Sequence, residues 1–401
     1  MPLTLQAFGD DCEKHGASHL MDKTLIRTTL DQAVENVRRN IPRFGDQYPH
    51  NGDGMTYVLT ENNHWMTSFW TGQLWLAYAT TDDDEFRREA ERRLASFEHR
   101  LVNRIGESHD LGFLYTLSAR AQWQMTGDSA ARQLGIDAAE RLITRFHPKG
   151  EYIQAWGAMN DPVEGGRMIV DCMMNLPLLF WASHETGDAK YAEIAAAHAR
   201  TTLRFQVRPG DITYHTFFFN QETGEPIGGK TAQGYSDDSL WTRGQAWAIY
   251  GFALAADWMS SPEMLEVACR LADRFWTELG DAPVPLWDFR LPPDAPHKRD
   301  SSAGAITACG MFKLAALVEE PARAAAYRQN AEHLTARLID ACFETAPEAQ
   351  GLLRDSSYNV NKNSAVEQFM PFGDYYFLES LVRLSGNPLD FWGTASLNCA
   401  K

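Results

Sequence analysis

The chain has 401 residues, of which 44% are hydrophobic and 22% are charged, as is typical of a globular protein. Its 53 acidic residues outnumber its 37 basic residues by 16, which disfavours nucleic acid or an anionic membrane as a partner. No apolar run approaches the roughly 20 residues of a membrane span. The first twenty residues lack the basic and apolar regions of a secretion signal, so we expect a cytoplasmic protein.

The cysteines and the short motifs point to neither a metal nor a cofactor. No CxxC, HExxH, P-loop or strand-associated GxGxxG motif is present, and GxSxG is absent as well. We therefore predict no metal site, no cofactor and reduced thiols that lie mostly in the core. The six cysteines are Cys12, Cys172, Cys269, Cys309, Cys342 and Cys399.

The first helix predicted along the chain is amphipathic and reads TLIRTTLDQAVENVRRNI. A repeated plan follows, in which an apolar, aromatic helix is joined by a short turn to a charged helix. The apolar helices are predicted to begin at Trp65, Asp110, Asp171, Thr242, Ser302 and Gly373. The turns TTDDDE, TGDSA, TGDAK, SSPE, EEPA and SGNP carry residues that stop one helix and cap the next.

This count of helices predicts the fold class. Six apolar and six amphipathic helices alternate, which favours an all-α (α/α)6 double-ring barrel of six helical hairpins. An open α-solenoid would use the same hairpins, but the irregular repeats and the absence of a polar capping helix favour closure. No linker divides the chain, so we predict one domain over residues 1–401.

Long insertions precede the apolar helices and are predicted to gather at one end of the barrel. They span residues 42–64, 146–170, 206–241, 279–301 and 346–372, and ITYHTFFF at 212–219 is predicted to include a short strand. Loops over a rigid scaffold usually carry function, so we expect the functional site at this end.

Two aspartates, Asp110 and Asp171, begin neighbouring apolar helices on this plan. Either one could serve only as an N-cap, because an aspartate there accepts backbone N–H bonds and suits the helix dipole. The polar and aromatic loops before them favour a shared pocket. Two neighbouring carboxyl groups in a pocket are the usual equipment for breaking a glycosidic bond.

Further candidates lie at the same predicted end. Arg243 in WTRGQAW stands in a first helical turn, where a cation is disfavoured, so it needs either an anionic ligand or a structural salt bridge. Tryptophans in this region either pack in the core or stack on a sugar face, and the loop histidines are structural or bind substrate. These candidates are Trp65, Trp156, Trp247, His109 and His215.

Three blocks, HDLGFLY, RMIVDCMMNLPLLFWA and SDDSLWTRGQAWAIYGF, make the chain resemble the unsaturated glucuronyl hydrolases of glycoside hydrolase family 88 over residues 24–390. The resemblance implies an (α/α)6 barrel without a metal, acting on di- or oligosaccharides that end in an unsaturated uronic acid. It matches Asp171 to the general acid/base and Asp110 to the second carboxylate. The positions matched to the sugar subsite are His109, Trp156, His215, Gln233, Arg243 and Trp247, with Trp65 as a looser match.

The chemistry expected from this resemblance is hydration of the C4=C5 double bond with Asp171 as acid and then base. Arg243 is the first candidate to bind the uronate carboxylate, and Trp156 or Trp247 to stack on the sugar. A loop at 354–368 offers possible sulfate contacts, although a solvated polar loop is the alternative. These contacts are Ser356, Ser357, Lys362 and Ser364.

Three alternatives stay open at this point. A family 105 enzyme would remove unsaturated galacturonyl groups from rhamnogalacturonan by similar chemistry. A sugar epimerase on the same barrel would need paired histidines near its centre, and none is apparent on the inner helices. A non-catalytic sugar-binding protein would keep the aromatic residues and need neither aspartate. The sequence leaves the oligomeric state open.

Overall fold

The turn residues initiate the outer helices as the sequence predicts. In this computed structural model, which describes residues 22–395, the side chains of Asp83, Asp128 and Asp188 each accept a backbone N–H two residues further on. Ser261 and Glu320 cap two later helices in the same manner. Each such cap typically contributes about 1 kcal/mol of helix stability.

The helices follow one another with short turns or long insertions between them. They are, in chain order, α1 (Lys23–Phe44), α2 (Thr67–Thr81), α3 (Asp84–Arg92), α4 (Leu94–Val102), α5 (Leu111–Tyr115), α6 (Ala121–Thr126), α7 (Ser129–Ile143), α8 (Leu176–Thr186), α9 (Ala189–Phe205), α10 (Thr242–Met259), α11 (Pro262–Leu279), α12 (Ser301–Leu317), α13 (Pro321–Cys342) and α14 (Pro371–Leu384).

Contacts between the apolar helices close a ring. Going round it, α2 contacts α5, α5 contacts α8, and the ring continues through α10, α12 and α14 back to α2. Apart from α6, which continues α5, the remaining helices pack outside this ring, and one cluster of buried side chains extends from Leu30 to Trp392. The contact between α14 and α2 excludes an open solenoid within the described residues. The predicted (α/α)6 barrel is confirmed, and we infer a single domain from its closure.

Two inner helices are less regular than the sequence predicts. The second is α5 and α6 joined by a π-helical turn, Thr116–Arg120. The third begins as a 3₁₀ helix, Val170–Met174, and becomes α-helical only at Leu176. Asp171 therefore lies within a 3₁₀ turn, which corrects the prediction that it opens an α-helix.

The insertions carry short antiparallel strands. Most form two-stranded hairpins, whereas Arg167–Ile169, Thr216–Phe219 and Pro226–Lys230 form one three-stranded sheet with Thr216–Phe219 in the middle. The strand predicted at 212–219 is confirmed but divided into two strands, at 212–213 and 216–219. The strands are β1 (Tyr48–Asp53), β2 (Thr56–Thr60), β3 (Phe146–His147), β4 (Tyr152–Ile153), β5 (Arg167–Ile169), β6 (Val207–Arg208), β7 (Ile212–Thr213), β8 (Thr216–Phe219) and β9 (Pro226–Lys230).

Four cysteines are buried free thiols, which confirms the prediction for Cys172, Cys269, Cys309 and Cys342. Cys12 and Cys399 lie outside the described residues. Between residues 22 and 395, no helix combines the length and the apolarity that a membrane crossing requires. The predicted compartment stays a prediction.

Candidate active site

The starts of two inner helices touch each other. Gly112 in α5 packs so tightly on the 3₁₀ helix that an added Cβ would lie 2.3 Å from the Cα of Asn175. The Asn175 side chain, which is fully buried, accepts the Phe113 N–H at 2.6 Å and donates to the Asp171 carbonyl at 3.3 Å. This one side chain therefore ties the segment that follows Asp110 to the segment that contains Asp171.

Asp171 is a buried carboxyl group without a compensating cation of its own. Its residue is 9% exposed, and its Oδ1 has no hydrogen-bond partner. Burial and the nearby charge of Asp110 raise the pKa of Asp171 to about 7, while Arg243 opposes the rise. A carboxyl group poised near neutral pH suits proton donation followed by proton abstraction.

Asp110 sits beside Asp171 in a more polar setting. Its side chain is 15% exposed, accepts the Ser108 hydroxyl at 2.7 Å, and lies 3.4 Å from Nε2 of His109. Neither aspartate side chain caps a helix. Asp110 stands at the N-cap position of α5 and Asp171 stands inside its 3₁₀ turn, but neither carboxyl group makes the capping hydrogen bond that the N-cap interpretation requires.

The two candidate histidines are buried and neutral. Burial lowers the pKa of His109 and moves the pKa of His215 well below its usual value. Nδ1 of His215 accepts two backbone N–H groups, at 3.1 and 3.2 Å, so the proton must reside on Nε2. That Nε2 is buried without a partner, which leaves one unpaired donor at the site.

Arg243 forms the structural salt bridge that the sequence analysis left open. Its guanidinium pairs with the buried Asp300 and also donates to the carbonyls of Ser357, at 2.7 Å, and Tyr358, at 2.9 Å. It further donates to Oε1 of Gln233 at 2.6 Å. Because protein acceptors engage both terminal nitrogens, Arg243 has little free capacity for a bidentate bond to a ligand carboxylate.

The three candidate tryptophans differ in exposure. Trp247 is fully buried against Phe113 and Tyr376, as the core-packing interpretation requires. Trp65 and Trp156 are each only half-buried. Trp156 follows Ala155, whose carbonyl accepts the His109 N–H at 2.8 Å, so Trp156 lies at the mouth of the site that contains His109 and Asp110. Any stacking on a sugar falls to Trp65 and Trp156.

The structure adds Tyr358, which the sequence analysis missed. Its hydroxyl accepts the Trp65 indole N–H at 3.4 Å, and burial raises its pKa, with smaller contributions from Asp110 and Asp171. The only signal was its position in the loop examined for sulfate contacts. In that loop Ser356 and Ser357 are buried and bonded to Ser301 and Arg299, so a sulfate role for these two is wrong.

The remaining two sulfate candidates are accessible. Lys362 is exposed and Ser364 is half-buried. No group of three or more metal-ligating side chains gathers anywhere in residues 22–395. The site therefore offers two carboxyl groups, one neutral histidine donor, an amide and two partly open indole rings, a set suited to a sugar ring and acid–base chemistry.

Comparisons with known proteins identify the family of the chain. The model of Glycosyl Hydrolase Family 88 matches residues 40–385. The chain is 44% identical over 368 residues to an unsaturated glucuronyl hydrolase from Bacillus sp. (strain GL1), covering 90% of this chain and 97% of that protein. It is 36% identical to an unsaturated chondroitin disaccharide hydrolase from Streptococcus pyogenes, covering 92% and 93%.

Similar solved structures indicate the same family. The crystal structure of the Bacillus sp. GL1 unsaturated glucuronyl hydrolase superposes with a TM-score of 0.89 at 42% identity, covering 92% of this chain and 99% of that one. A mutant of the Streptococcus agalactiae enzyme in complex with dGlcA-GalNAc6S gives 0.81 at 32% identity, with 92% and 94% covered. The resemblance predicted from three sequence blocks is confirmed, and the chain belongs to glycosyl hydrolase family 88.

Proposed function

We propose that this glycosidase releases the unsaturated uronic acid from the non-reducing end of lyase-generated saccharides, by hydration of its C4=C5 double bond. The observation that carries the residue assignment is the buried Asp171, whose pKa near 7 arises from burial beside Asp110. The family and the named relatives favour this activity over the family 105, epimerase and non-catalytic alternatives.

The reaction begins with the protonated form of Asp171. The double bond and the ring oxygen form an enol ether. The π electrons of the C4=C5 bond therefore take the Asp171 proton at C4. The cation left at C5 is stabilised by the ring oxygen. Asp171, now a carboxylate, removes a proton from water as the water oxygen bonds to C5. The resulting hemiketal opens the ring and expels the partner sugar.

Asp110, the second carboxyl group, supports this reaction in two ways. Asp110 raises the proton affinity of Asp171, which keeps part of that residue protonated near pH 7. We assign to its more exposed carboxylate the role of steadying the developing cation or of accepting a sugar hydroxyl. Nε2 of His109 lies 3.4 Å from the Asp110 carboxylate.

Gln233 and His215 supply the donors for the uronate. Arg243 donates to Oε1 of Gln233, which turns the amide nitrogen and its two hydrogens away from the guanidinium. The unpaired Nε2–H of His215 adds another donor. Arg243 then acts through Gln233 and through its long-range charge, rather than as the direct carboxylate partner predicted from the sequence.

The substrates proposed are unsaturated disaccharides or short oligosaccharides derived from glycosaminoglycans, in line with the names of the relatives. Lys362 and Ser364 are the accessible positions for a sulfate on the second sugar. The Lys362→Ala variant tests this assignment with two glycosaminoglycan-derived substrates that differ only in sulfation. It should weaken binding of the sulfated substrate alone.

The experiment that tests the function follows the ultraviolet absorbance of the conjugated double bond. The protein is mixed with unsaturated disaccharides made by lyases from chondroitin, from hyaluronan and from pectin. We expect the absorbance to fall for the first two. Loss with the pectin fragment alone would indicate the family 105 activity, and no loss with any of the three would refute hydration.

A further inference from the structure

The half-exposed Trp156 is held by two charged side chains, Glu164 and Arg167, to which no role has yet been assigned. Its indole N–H donates to Glu164 at 2.5 Å, and the Arg167 guanidinium lies 4.8 Å from the centre of its ring. Arg167 also forms an ion pair with the same Glu164 oxygen. One carboxylate oxygen thus joins the edge of the indole to the cation that covers one of its faces.

Arg167 is itself anchored to the three-stranded sheet. It pairs with Phe218 in the register between β5 and β8, and its guanidinium lies 4.7 Å from the Phe218 ring. Its carbonyl accepts the Ala155 N–H at 2.9 Å. The guanidinium is therefore sandwiched between Phe218 and Trp156, and it connects the tryptophan to the sheet that leads directly into Asp171.

The loop that presents Glu164 is also specified by its own contacts. Oδ1 of Asp161 accepts the N–H groups of Val163 and Glu164, each at 2.8 Å. Gly157 has φ of +74°, and a Cβ there would approach the Glu164 Cβ to 2.5 Å. The short loop therefore folds back on Trp156 and places the Glu164 carboxylate against the indole edge.

The different exposures of Asp171 and Trp156 indicate which sugar of the substrate each residue contacts. The reacting ring must reach Asp171, which is 9% exposed, so it occupies the inner part of the site. Trp156 is only half-buried and Arg167 covers one face of its indole, so we place the ligand at the opposite face. The adjoining sugar is then the part of the substrate that Trp156 contacts.

We propose that Glu164 and Arg167 are positioning residues that fix Trp156 against the second sugar of the substrate. This inference rests on the proposed function. A cation on the far face of an indole fixes its tilt, and the hydrogen bond from Nε1 to Glu164 fixes its rotation. The pair would thereby set the affinity for the leaving sugar without touching the reacting atoms.

The test compares Glu164→Gln and Arg167→Met with the wild-type protein on two substrates. One is an unsaturated disaccharide, and the other carries the same unsaturated uronate on a methyl group. Losing one partly shielded contact should raise KM for the disaccharide about 3- to 30-fold. We expect kcat for both substrates, and KM for the methyl glycoside, to stay within about twofold of wild type.

Two further variants guard against a folding defect. Trp156→Phe keeps an aromatic face but loses the bond to Glu164, and it should raise the same KM. Arg204→Met is the control, because Arg204 lies 4.8 Å over Phe205 in the neighbouring aromatic cluster without touching Trp156. It should leave both KM values unchanged.

An unchanged KM for the disaccharide in Glu164→Gln and Arg167→Met overturns the inference, and so does an equal rise for both substrates or an equal effect of Arg204→Met. A fall in kcat at constant KM overturns it as well. If the wild-type protein consumes neither substrate, the proposed function fails and the inference fails with it.

Discussion

At the scale of single residues, the acid–base chemistry depends on a carboxyl group that burial has made a weak acid. Asp171 owes its pKa near 7 first to burial and then to Asp110. A second buried aspartate, Asp374, also has a pKa raised to about 7 by burial, but its carboxyl group is bonded to Tyr57 and to the Leu353 N–H. An unsatisfied oxygen beside a like charge is what distinguishes the proposed catalytic acid.

Replacing Asp171 by asparagine should lower kcat at least about 100-fold while substrate binding persists, because positioned acid–base groups typically contribute 10²- to 10⁴-fold. Turnover and binding to a lyase-derived disaccharide are the measurements. Asp374→Asn is the matched control and should lower the melting temperature with little change in kcat. An Asp171→Asn variant that keeps more than roughly a tenth of the wild-type rate contradicts the assignment.

The pH profile should follow the pKa of Asp171. The acid must be protonated to react, so kcat/KM should decline as pH rises through about 7. Asp110→Asn removes a negative neighbour, which lowers the pKa of Asp171 and should move this decline to lower pH in whatever activity survives. A decline that stays in place or moves upward in Asp110→Asn would show that the two carboxyl groups do not interact.

The sequence predicts Asp110, Asp171 and His109 at one site because they stand next to the starts of inner helices, whereas His215 lies between β7 and β8 and was predicted only as a loop histidine at the same end. The sequence left the role of Arg243 open. The salt-bridge partner, Asp300, is 57 residues away in another insertion, and no local pattern marks it. Tyr358 was missed for the same reason, since a loop tyrosine reaches the site only through the fold.

At the scale of elements, the site depends on the contact between α5 and the 3₁₀ helix Val170–Met174. Helical periodicity predicts where an apolar helix lies, but it does not distinguish a 3₁₀ or π turn from an α-helix. Gly112 and Asn175 create the close approach, and Gly251 similarly packs against Met173. The irregular helices are consequences of tertiary contacts, which is why the sequence predicted regular ones.

Asn175→Ala tests this contact. It strands the buried N–H of Phe113 and should cost about 1–3 kcal/mol of unfolding free energy. It should also reduce kcat, because the segments that carry Asp110 and Asp171 lose their link. Asn36→Ala is the control, since Asn36 is a buried asparagine that donates to Ala349 far along the chain.

Calorimetry and kinetics on both asparagine variants separate stability from activity. We expect both to unfold at lower temperature and only Asn175→Ala to lose kcat. An equal kcat in the two variants would mean that the contact supports the fold and not the geometry of the acids.

At the scale of the whole molecule, the chain from Leu389 to Thr394 closes the barrel at the ends of the inner helices remote from the two acids. The backbone N–H and the hydroxyl of Thr394 both donate to the Asp257 carboxylate of α10, and the Trp392 carbonyl accepts the Trp258 indole N–H at 2.8 Å. Trp392 packs edge-on against Phe113, which in turn contacts Trp247. An aromatic column thus runs from this plug toward the active site.

Buried charges fasten the plug to the barrel. Asp390 accepts Lys313 at 3.0 Å, and Lys313 and Arg383 hold the pKa of Asp390 well below its usual range despite burial. A lowered pKa means that this carboxylate stabilises the fold above the unfolded-state pKa and loses that effect as pH falls. The segment PLDFW has no periodicity, so sequence alone did not predict this closure.

Asp390→Asn should therefore lower the unfolding free energy at neutral pH by about 3–5 kcal/mol, the usual cost of breaking a buried ion pair. Glu266→Gln removes an exposed pair with Arg323 and should cost less than about 1 kcal/mol. Denaturant unfolding measures both. Equal losses in the two variants would show that the plug contributes little to stability.

Turnover in deuterium oxide tests the central claim most directly, because hydration led by Asp171 must deliver one solvent proton to C4 on one face of the ring. We expect NMR of the first product to show deuterium at C4 in a single configuration, with no such product from Asp171→Asn. Release of the partner sugar with the double bond intact, or deuterium in both configurations at C4, would contradict the account.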